Sequence, residues 1–383
     1  MKICSVICEY NPFHNGHRYL LNEIKKTGRF DQILCIMSGH FTQRGEIAVM
    51  DAYTRARHAL LGGADAVIEL PTVFATSSAE RFASGAIRIL SSIPEVKAIA
   101  FGTECATKDT LDQTASLLLE EPPLYREALR EALERGMSYA QARELAFAKT
   151  GKDSSLLRSP NDILAVEYTK AIFKQNAPIE RLCIPRVGQG YRETAPVSSF
   201  ASASSIRANR EDSAFLKGNV PSFVLDDLPV SSYEKSFQIA AMTALSLSST
   251  EELRQIANCG EGLEFALKKG DYDYNALLER VTSKRYPKSR IRRILLHNLL
   301  KITESDVQNA LNAPLFLHLL AAKNSSMLSA LGQSSLPLFT KGRDLLSLPP
   351  VARRTREIDL FAEQIYEICS GLKIPKKIFQ NQP

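Results

Sequence analysis

Four short apolar runs punctuate the first hundred residues: ICSVIC (Ile3–Cys8), QILCIM (Gln32–Met37), AVIEL (Ala66–Leu70) and VKAIAF (Val96–Phe101). A segment with helical spacing follows each of them. This alternation restricts the fold more than any other feature of the chain. Strands separated by helix-length segments cannot close as hairpins; they return by crossovers, which build a parallel sheet with helices packed on it. The fold expected is α/β, a Rossmann-like doubly wound parallel sheet. The punctuation agrees. A helix is expected from HNGH to about Lys26. DAYTRARHALLGG carries Ala56, Ala59 and Leu60 at helical spacing and ends in Gly62 and Gly63. SSAERFASGAIRIL is expected to start at a cap on Ser77 or Ser78. SPNDILAVEYTKAIF (Ser159–Phe173) opens with a helix-start signal, and RLCIP (Arg181–Pro185) reads as a fifth strand.

Residues 107–150 read as a helical insertion on this scaffold. From about Ala214 helical periodicity dominates to the end, so an α-helical C-terminal domain is expected. The organisation expected is a catalytic unit over 1–212 and a basic helical unit over 213–383, with the boundary near 210–225. A chain of 383 residues can bury a core in each. No apolar run reaches the length of a membrane span, and the first run reads as a strand rather than a secretory signal. The seven cysteines form no CxxC pair and are odd in number, which suits free thiols in a reducing cytoplasm. Zinc on Cys4, Cys8, His14 and His17 is the weaker reading, because both cysteines lie in the first strand and are expected to be buried.

The chemistry concentrates in CEYNPFHNGH (Cys8–His17), at the carboxyl end of the first strand. That is where open α/β sheets bind ligands. Asn11-Pro12 forces a turn, and Gly16 lets the backbone approach a ligand. The helix start offers unpaired amides and a partial positive charge, which suit a phosphate. His14 and His17 share a helix face and can donate to a phosphate whose charge grows in a transition state. For an isolated HxxH pair, two surface histidines at a helix start would be the better reading. HNGH, however, is close to the His-Ile-Gly-His signature of nucleotidyltransferases and class I tRNA synthetases.

The longer string CEYNPFHNGHRYLL resembles the start of the bacterial tRNA(Met) cytidine acetate ligase family. The blocks Met37–Pro71, Phe101–Glu104 (FGTE), Ser159–Ile172 and Ile184–Tyr191 (IPRVGQGY) resemble further family blocks in family order. The resemblance covers the first two hundred residues. It implies a nucleotidyltransferase-type sheet and an ATP-dependent carbon–nitrogen ligase. Acetate would become acetyl-adenylate, and its acetyl group would pass to N4 of the wobble cytidine (C34) of elongator tRNA(Met), with release of AMP and pyrophosphate. It implies His14 and His17 as catalytic residues, and ATP contacts at Ile7, Cys8, Glu9, Tyr10, Asn11, Pro12, Phe13, His14, Asn15, Gly16, His17, Arg18, Tyr19 and Leu20, and at Gly102, Asn161 and Arg186. On sequence alone Asn161 reads better as a helix N-cap and Arg186 as a solvated surface arginine, and only the surrounding block raises Arg186 above that. Ser204, Ser205 and Arg207, in SASSIRAN, resemble the Ser-Ser-x-x-Arg ending of small nucleotidyltransferases and stand as phosphate contacts. The alternative there is an ordinary Ser-capped helix with an exposed arginine. Gln43, Arg44, Arg55 and Arg57 either line the substrate side or are structural, and Glu9 orients the loop. No carboxylate cluster announces a metal site; Mg²⁺ is expected to arrive with ATP, held by phosphates and water.

The net charge of +6 permits a polyanionic partner without requiring one. SKRYPKSRIRRILLH (Ser283–His297) is more informative. It carries Lys284, Arg285, Lys288, Arg290, Arg292 and Arg293 with no acidic residue, whereas solvated helix faces usually mix signs. A tRNA backbone is the partner expected. Arg353, Arg354, Arg356, Lys373, Lys376 and Lys377 are secondary candidates. No protein partner and no membrane are implied. Two other functions fit parts of the pattern: a small-molecule adenylyltransferase, which has little need of a basic helical half, and a non-catalytic RNA-binding protein, which has little need of an intact HNGH.

Overall fold

The computed structural model describes residues 1–186, 200–229, 232–270, 273–339, 345, 347–374 and 379–380. Residues 187–191 of the IPRVGQGY block and Lys376 and Lys377 lie outside them.

The strands β1 (Ile3–Cys8), β2 (Gln32–Ser38), β3 (Ala66–Leu70), β4 (Val96–Thr103) and β5 (Glu180–Pro185) form a parallel sheet in the order β5-β4-β1-β2-β3. The connections carry α1 (Asn15–Lys26), α2 (Ala52–Gly62), α3 (Thr72–Ala75), α4 (Ala79–Leu90), the insertion helices α5 (Lys108–Glu120), α6 (Pro123–Glu134) and α7 (Tyr139–Lys149), and α8 (Pro160–Lys174). The order reverses beside β1, between β4 and β2, which is the switch point where such sheets take ligands. Both faces of the sheet are covered, which explains why its strands read as continuous apolar runs.

Local chemistry sets the helix ends. Asp51 caps α2 by accepting the amides of Tyr53 and Thr54, and Gly63 ends it at φ 126°. Ser159 caps α8 with Pro160 at its first position. Ser78 occupies the cap of α4 without a side-chain bond, while Ser77 donates to the Val73 carbonyl of α3.

The second half continues through α9 (Ala203–Ala208), α10 (Ser213–Asn219), α11 (Ser222–Leu225), α12 (Glu234–Leu247), α13 (Thr250–Gln255), α14 (Leu263–Lys268), α15 (Tyr274–Val281), α16 (Lys288–Leu300) and α17 (Glu304–Asn312). Helical periodicity does not persist to the end. β6 (Leu317–Ala322) pairs antiparallel with β3 and extends the sheet. The helix α18 (Ser325–Gly332), the short strand β7 (Leu338–Phe339), the long helix α19 (Pro350–Ser370) and the short strand β8 (Phe379–Gln380) complete the chain. LHLLAA is a six-residue run buried throughout, too short for a helix of the core and long enough for a strand.

Two hydrophobic clusters sandwich the sheet. One joins Ile36, Phe74 and Ile87 to Phe237, Leu295 and Tyr366, so the helical half packs on the sheet's own core. The other joins Val6, Phe13, Leu21 and Ala59 to Ile206, Leu216 and Val224.

Candidate active site

The turn after β1 is held from below by hydrophobic burial. Cys8, Tyr10 and Phe13 are buried in the second cluster, and Tyr10 adopts a left-handed φ of 48°. The Asn11-Pro12 bond is cis. Arg55, fully buried on α2, braces the turn from the side. Its guanidinium donates to the carbonyls of Glu9 (2.6 Å), Met50 (2.9 Å), Ser38 (3.2 Å) and Gly39. Of the two roles open to Arg55 on sequence, the structural one holds. Arg57 pairs with Asp227, and Gln43 donates its backbone amide to Glu9 at 2.6 Å. Burial raises the Glu9 carboxyl above its ordinary pKa. Glu9 therefore ties the turn after β1 to the loop after β2.

His14 is the N-cap of α1 and His17 its third residue. The His14 Nδ1 accepts the Gly16 amide at 3.1 Å, and the His17 Nδ1 accepts the His14 amide at 3.2 Å. This reciprocal cap places the proton of each neutral ring on Nε2, as a donor directed away from the turn. The rings stack with centroids 3.6 Å apart. Burial, with Arg186 adding to it, pushes the His14 pKa down to about 4. Burial, His14 and Arg186 push His17 well below its ordinary value. Both rings are thus neutral donors near pH 7, at a helix N-terminus. Gly16 fits closely here: a Cβ would lie 3.0 Å from the His14 ring, which would have to give by a few tenths of an ångström.

Of the downstream residues for which ATP contacts are implied, Arg186 acts electrostatically on both histidines and Gly102 lies against Arg186. Gly102, in β4, faces Arg186, whose Cγ would lie 3.1 Å from a Cβ at position 102. Arg186 follows β5 and bonds through its amide to the Thr103 carbonyl at 2.9 Å. Asn161 is not the N-cap of α8. Ser159 is, because its hydroxyl reaches the Asp162 amide while Asn161 already lies within the first turn. That leaves the Asn161 side chain free to donate to the Glu104 carboxylate at 2.8 Å. Of the remaining motif residues, Arg18 is exposed, Asn15 donates to the Gly218 carbonyl, and Tyr19 packs near Phe200; Ile7 and Leu20 are half-buried.

Arg207 reaches the turn from the opposite side. It donates to the Asn11 carbonyl at 2.9 Å and pairs with Glu46 at 3.4 Å. It is a partly buried tie, not an exposed arginine. Ser202 caps α9, so the hydroxyls of Ser204 and Ser205 are not spent on that cap.

The basic stretch divides. Lys284, Arg285 and Lys288 are exposed. Arg290 donates to the Asn258 carbonyl and lies over the Tyr286 ring. Arg292 pairs with Glu46. Arg293 is only 9% exposed and donates to the Gln43 carbonyl, and burial lowers its pKa to about 10. For Arg293 the expected solvent-facing charge is corrected: Gly45, at φ 74°, brings the loop so close to α16 that a Cβ there would lie 2.6 Å from the Arg293 amide. Arg356 is likewise buried, against Glu69 and His318, and Arg354 pairs with Asp306. Glu46, Glu104 and Arg210 went unnoticed in the sequence; only the QRGE and FGTE blocks that hold the two glutamates pointed towards them.

Among the described residues no group of three or more His, Cys, Asp or Glu is placed to hold a metal ion, and no helix is long and apolar enough to cross a membrane. The cysteines are free thiols.

Comparison with known proteins agrees with this geometry. The family model described as HIGH Nucleotidyl Transferase matches residues 1–381. A tRNA(Met) cytidine acetate ligase of Acetivibrio thermocellus is 37% identical over 96% of this chain and 95% of its own. One of Thermoanaerobacter sp. strain X514 is 39% identical over 96% of each chain. The crystal structure of Thermotoga maritima TmcAL bound with alpha-thio ATP superposes with a TM-score of 0.83 at 29% identity, over 96% of this chain and 95% of that one. Its apo form gives 0.86 at 30%, with the same coverage. With a stacked histidine pair at the switch point and relatives of this similarity over nearly its whole length, the chain belongs to the HIGH nucleotidyl transferase family and, within it, to the tRNA(Met) cytidine acetate ligases.

Proposed function

We propose that the chain ligates acetate to N4 of the wobble cytidine (C34) of elongator tRNA(Met) at the expense of ATP. The observation that carries this reading is the reciprocal His14–His17 cap at the carboxyl end of β1, in a chain 37% identical to a named tRNA(Met) cytidine acetate ligase over nearly its whole length.

Acetate is a poor acyl donor because its oxygen leaves badly. In the first step an acetate oxygen attacks the α-phosphorus of ATP, and the bond to the bridging oxygen of pyrophosphate breaks. The charge that grows on the phosphates faces two Nε2–H donors and the N-terminus of α1. These donors are fixed before ATP arrives, because each ring is already held through its Nδ1, so little reorganisation is needed. Arg186 adds a full positive charge beside the pair. Gly102 and Asn161 lie on the same side and fit the nucleoside, and Arg207, Ser204 and Ser205 lie on the other and fit the β- and γ-phosphates. Mg²⁺ entering with ATP would be carried by the phosphates and water and would neutralise part of the phosphate charge.

In the second step N4 attacks the acetyl carbon and the carbon–oxygen bond to phosphate breaks. AMP leaves with the bonding pair, and N4 sheds one proton. The base has to leave its stack to reach the adenylate. The exposed Lys284, Arg285 and Lys288 hold the tRNA backbone. Free thiols suit a reducing cytoplasm, and the reading invokes no protein partner.

The test is incubation with ATP, labelled acetate, Mg²⁺ and elongator tRNA(Met), without acetyl-CoA. N4-acetylcytidine at the wobble position is expected. Pyrophosphate release with a mononucleotide acceptor, and no label in RNA, would favour a small-molecule adenylyltransferase instead.

A further inference from the structure

A cavity of about 170 Å³ lies beside the phosphate turn and is lined by both halves of the chain, by Glu46 and Val49 from the loop after β2, Arg207 and Arg210 around α9, and Tyr233, Tyr274 and Arg292 from the helical half. We propose that this cavity receives the unstacked acceptor cytosine and reads its Watson–Crick edge. The proposal rests on the ligase reading above and deepens it.

Position is the first argument. Gly102 lies in β4, Asn161 in α8 and Arg186 just after β5, on one side of β1. The cavity lies on the β2 side. Two bonds join it to the turn between: the Val49 amide to the Asn11 side chain at 2.8 Å, and Arg207 to the Asn11 carbonyl at 2.9 Å. A nucleoside resting against the first group, with its phosphates crossing the turn to Arg207, leaves the wall formed by Arg210, Tyr233, Tyr274 and Arg292 open for an acceptor.

Chemistry is the second. Cytosine offers a donor at N4 and acceptors at N3 and O2. The cavity offers the converse: the Glu46 carboxylate, held by Arg207, as acceptor, and the Arg292 guanidinium beside it as donor. Arg210 is half-buried and has no hydrogen-bond or ion-pair partner among the described residues, so its donors are unspent. Uracil reverses the upper two groups. Its O4 would face the carboxylate and its N3–H would face a guanidinium, so both contacts turn repulsive. A carboxylate has lone pairs enough for two arginines and one N4–H.

Shape is the third. Two aromatic rings, Tyr233 and Tyr274, lie in the wall, as stacking of an extruded base requires. The volume falls below the range of about 300–1,000 Å³ typical of pockets that enclose drug-sized ligands. It suits a single base whose ribose and phosphates remain outside, on the tRNA.

The test separates the two half-reactions. In R210A and E46Q, acetate-dependent pyrophosphate exchange into ATP is expected within about threefold of wild type. The kcat/KM for acetyl transfer to tRNA is expected to fall about tenfold or more, as for loss of a hydrogen bond to a charged group. The dependence of tRNA affinity on salt should not change in R210A. A salt slope reduced by about one would make Arg210 a phosphate contact and overturn the proposal. Exchange falling in parallel with transfer in R210A, or transfer untouched in that variant, would overturn it too. Arg210 is half-exposed beyond a short helix, so R210A reports even if E46Q fails to fold. Absence of any acetyl transfer by the wild-type protein would overturn the ligase reading itself, which is distinguishable because both variants are scored against a working wild type.

Discussion

His14 and His17 hold each other's amides, with 3.1 Å between the His14 Nδ1 and the Gly16 nitrogen and 3.2 Å between the His17 Nδ1 and the His14 nitrogen. The cap fixes both tautomers, so each ring presents Nε2–H to the site. Removing either ring removes a donor and unties the turn. We expect His14→Ala and His17→Ala each to lower acetate-dependent pyrophosphate exchange about 100- to 1,000-fold, the cost of losing one preorganised donor to a developing anion. Affinity for tRNA should stay near wild type in a filter-binding assay. Full activity in both variants would refute the role.

The same cap has a pH signature. Burial holds the His14 pKa at about 4, below its ordinary 6.5. The unfolded chain therefore binds this proton more readily than the folded one below pH 6.5. Stability from the neutral ring is complete above 6.5 and is lost as pH falls towards about 4. Pyrophosphate exchange should be flat from pH 8 to about 5.5 as far as this pair governs it, and should then decline. Arg186 contributes to the depression, so R186A should raise the His14 pKa. Proton NMR titration of the imidazole would record it; a shift in the opposite direction would separate Arg186 from the pair.

How much of this was legible beforehand follows from the range of each interaction. The strands, α1, α2 and α8 were legible because apolar runs, Asp51, Ser159 and Gly63 act within a few residues. The turn after β1 was legible because HNGH is contiguous. β6 was not, since its partner β3 lies some 250 residues earlier and nothing in LHLLAA names it. Nor was the burial of Arg293 and Arg356. A run of arginines looks solvated until Gly45 and Glu69 are brought against it by the fold. The sequence also offers no means of telling that Asn161 serves Glu104 rather than a helix end, because both roles suit the same residue at a helix start.

Glu104 and Asn161 yield a separate prediction. The Asn161 Nδ2 donates to Glu104 at 2.8 Å, which fixes the amide and leaves its oxygen free to accept from a ligand. Glu104→Ala should let the amide turn. The KM for ATP in pyrophosphate exchange is expected to rise about three- to tenfold, the worth of one hydrogen bond. The kcat and tRNA affinity should change little. A fall in kcat at constant KM would place Glu104 in the chemistry rather than in positioning.

Gly45 should matter to the union of the two halves. It adopts φ 74° and lies against the backbone of Arg292 and Arg293. Alanine there meets both a strained backbone and a backbone clash. We expect Gly45→Ala to lower the denaturant midpoint by an amount equivalent to about 1–3 kcal/mol. It should also impair acetyl transfer more than pyrophosphate exchange, because the loop carrying Glu46 would be displaced from α16. Wild-type stability would show that the contact gives way without cost.

Arg55 supplies the sharpest structural test, because it is a fully buried cation that donates to the carbonyls of Glu9, Ser38, Gly39 and Met50. Two of these flank the turn after β1 and the loop after β2, so one guanidinium sets the spacing of both. Burial lowers its pKa, yet arginine stays protonated throughout the working range. Replacement by methionine keeps much of the volume and strands three buried acceptors and the partly buried Glu9 carbonyl, a buried one costing about 1–3 kcal/mol when unpaired. Relaxation and water entry recover part of that, so a loss of about 3 kcal/mol or more is expected by urea denaturation. Lysine is not a conservative substitute. Its three donors radiate from one nitrogen and cannot span carbonyls that the planar fork reaches together. Arg55→Lys should therefore rescue less than half of the lost stability and leave pyrophosphate exchange well below wild type. Full rescue by lysine would mean that the charge, rather than the fork, organises the turn.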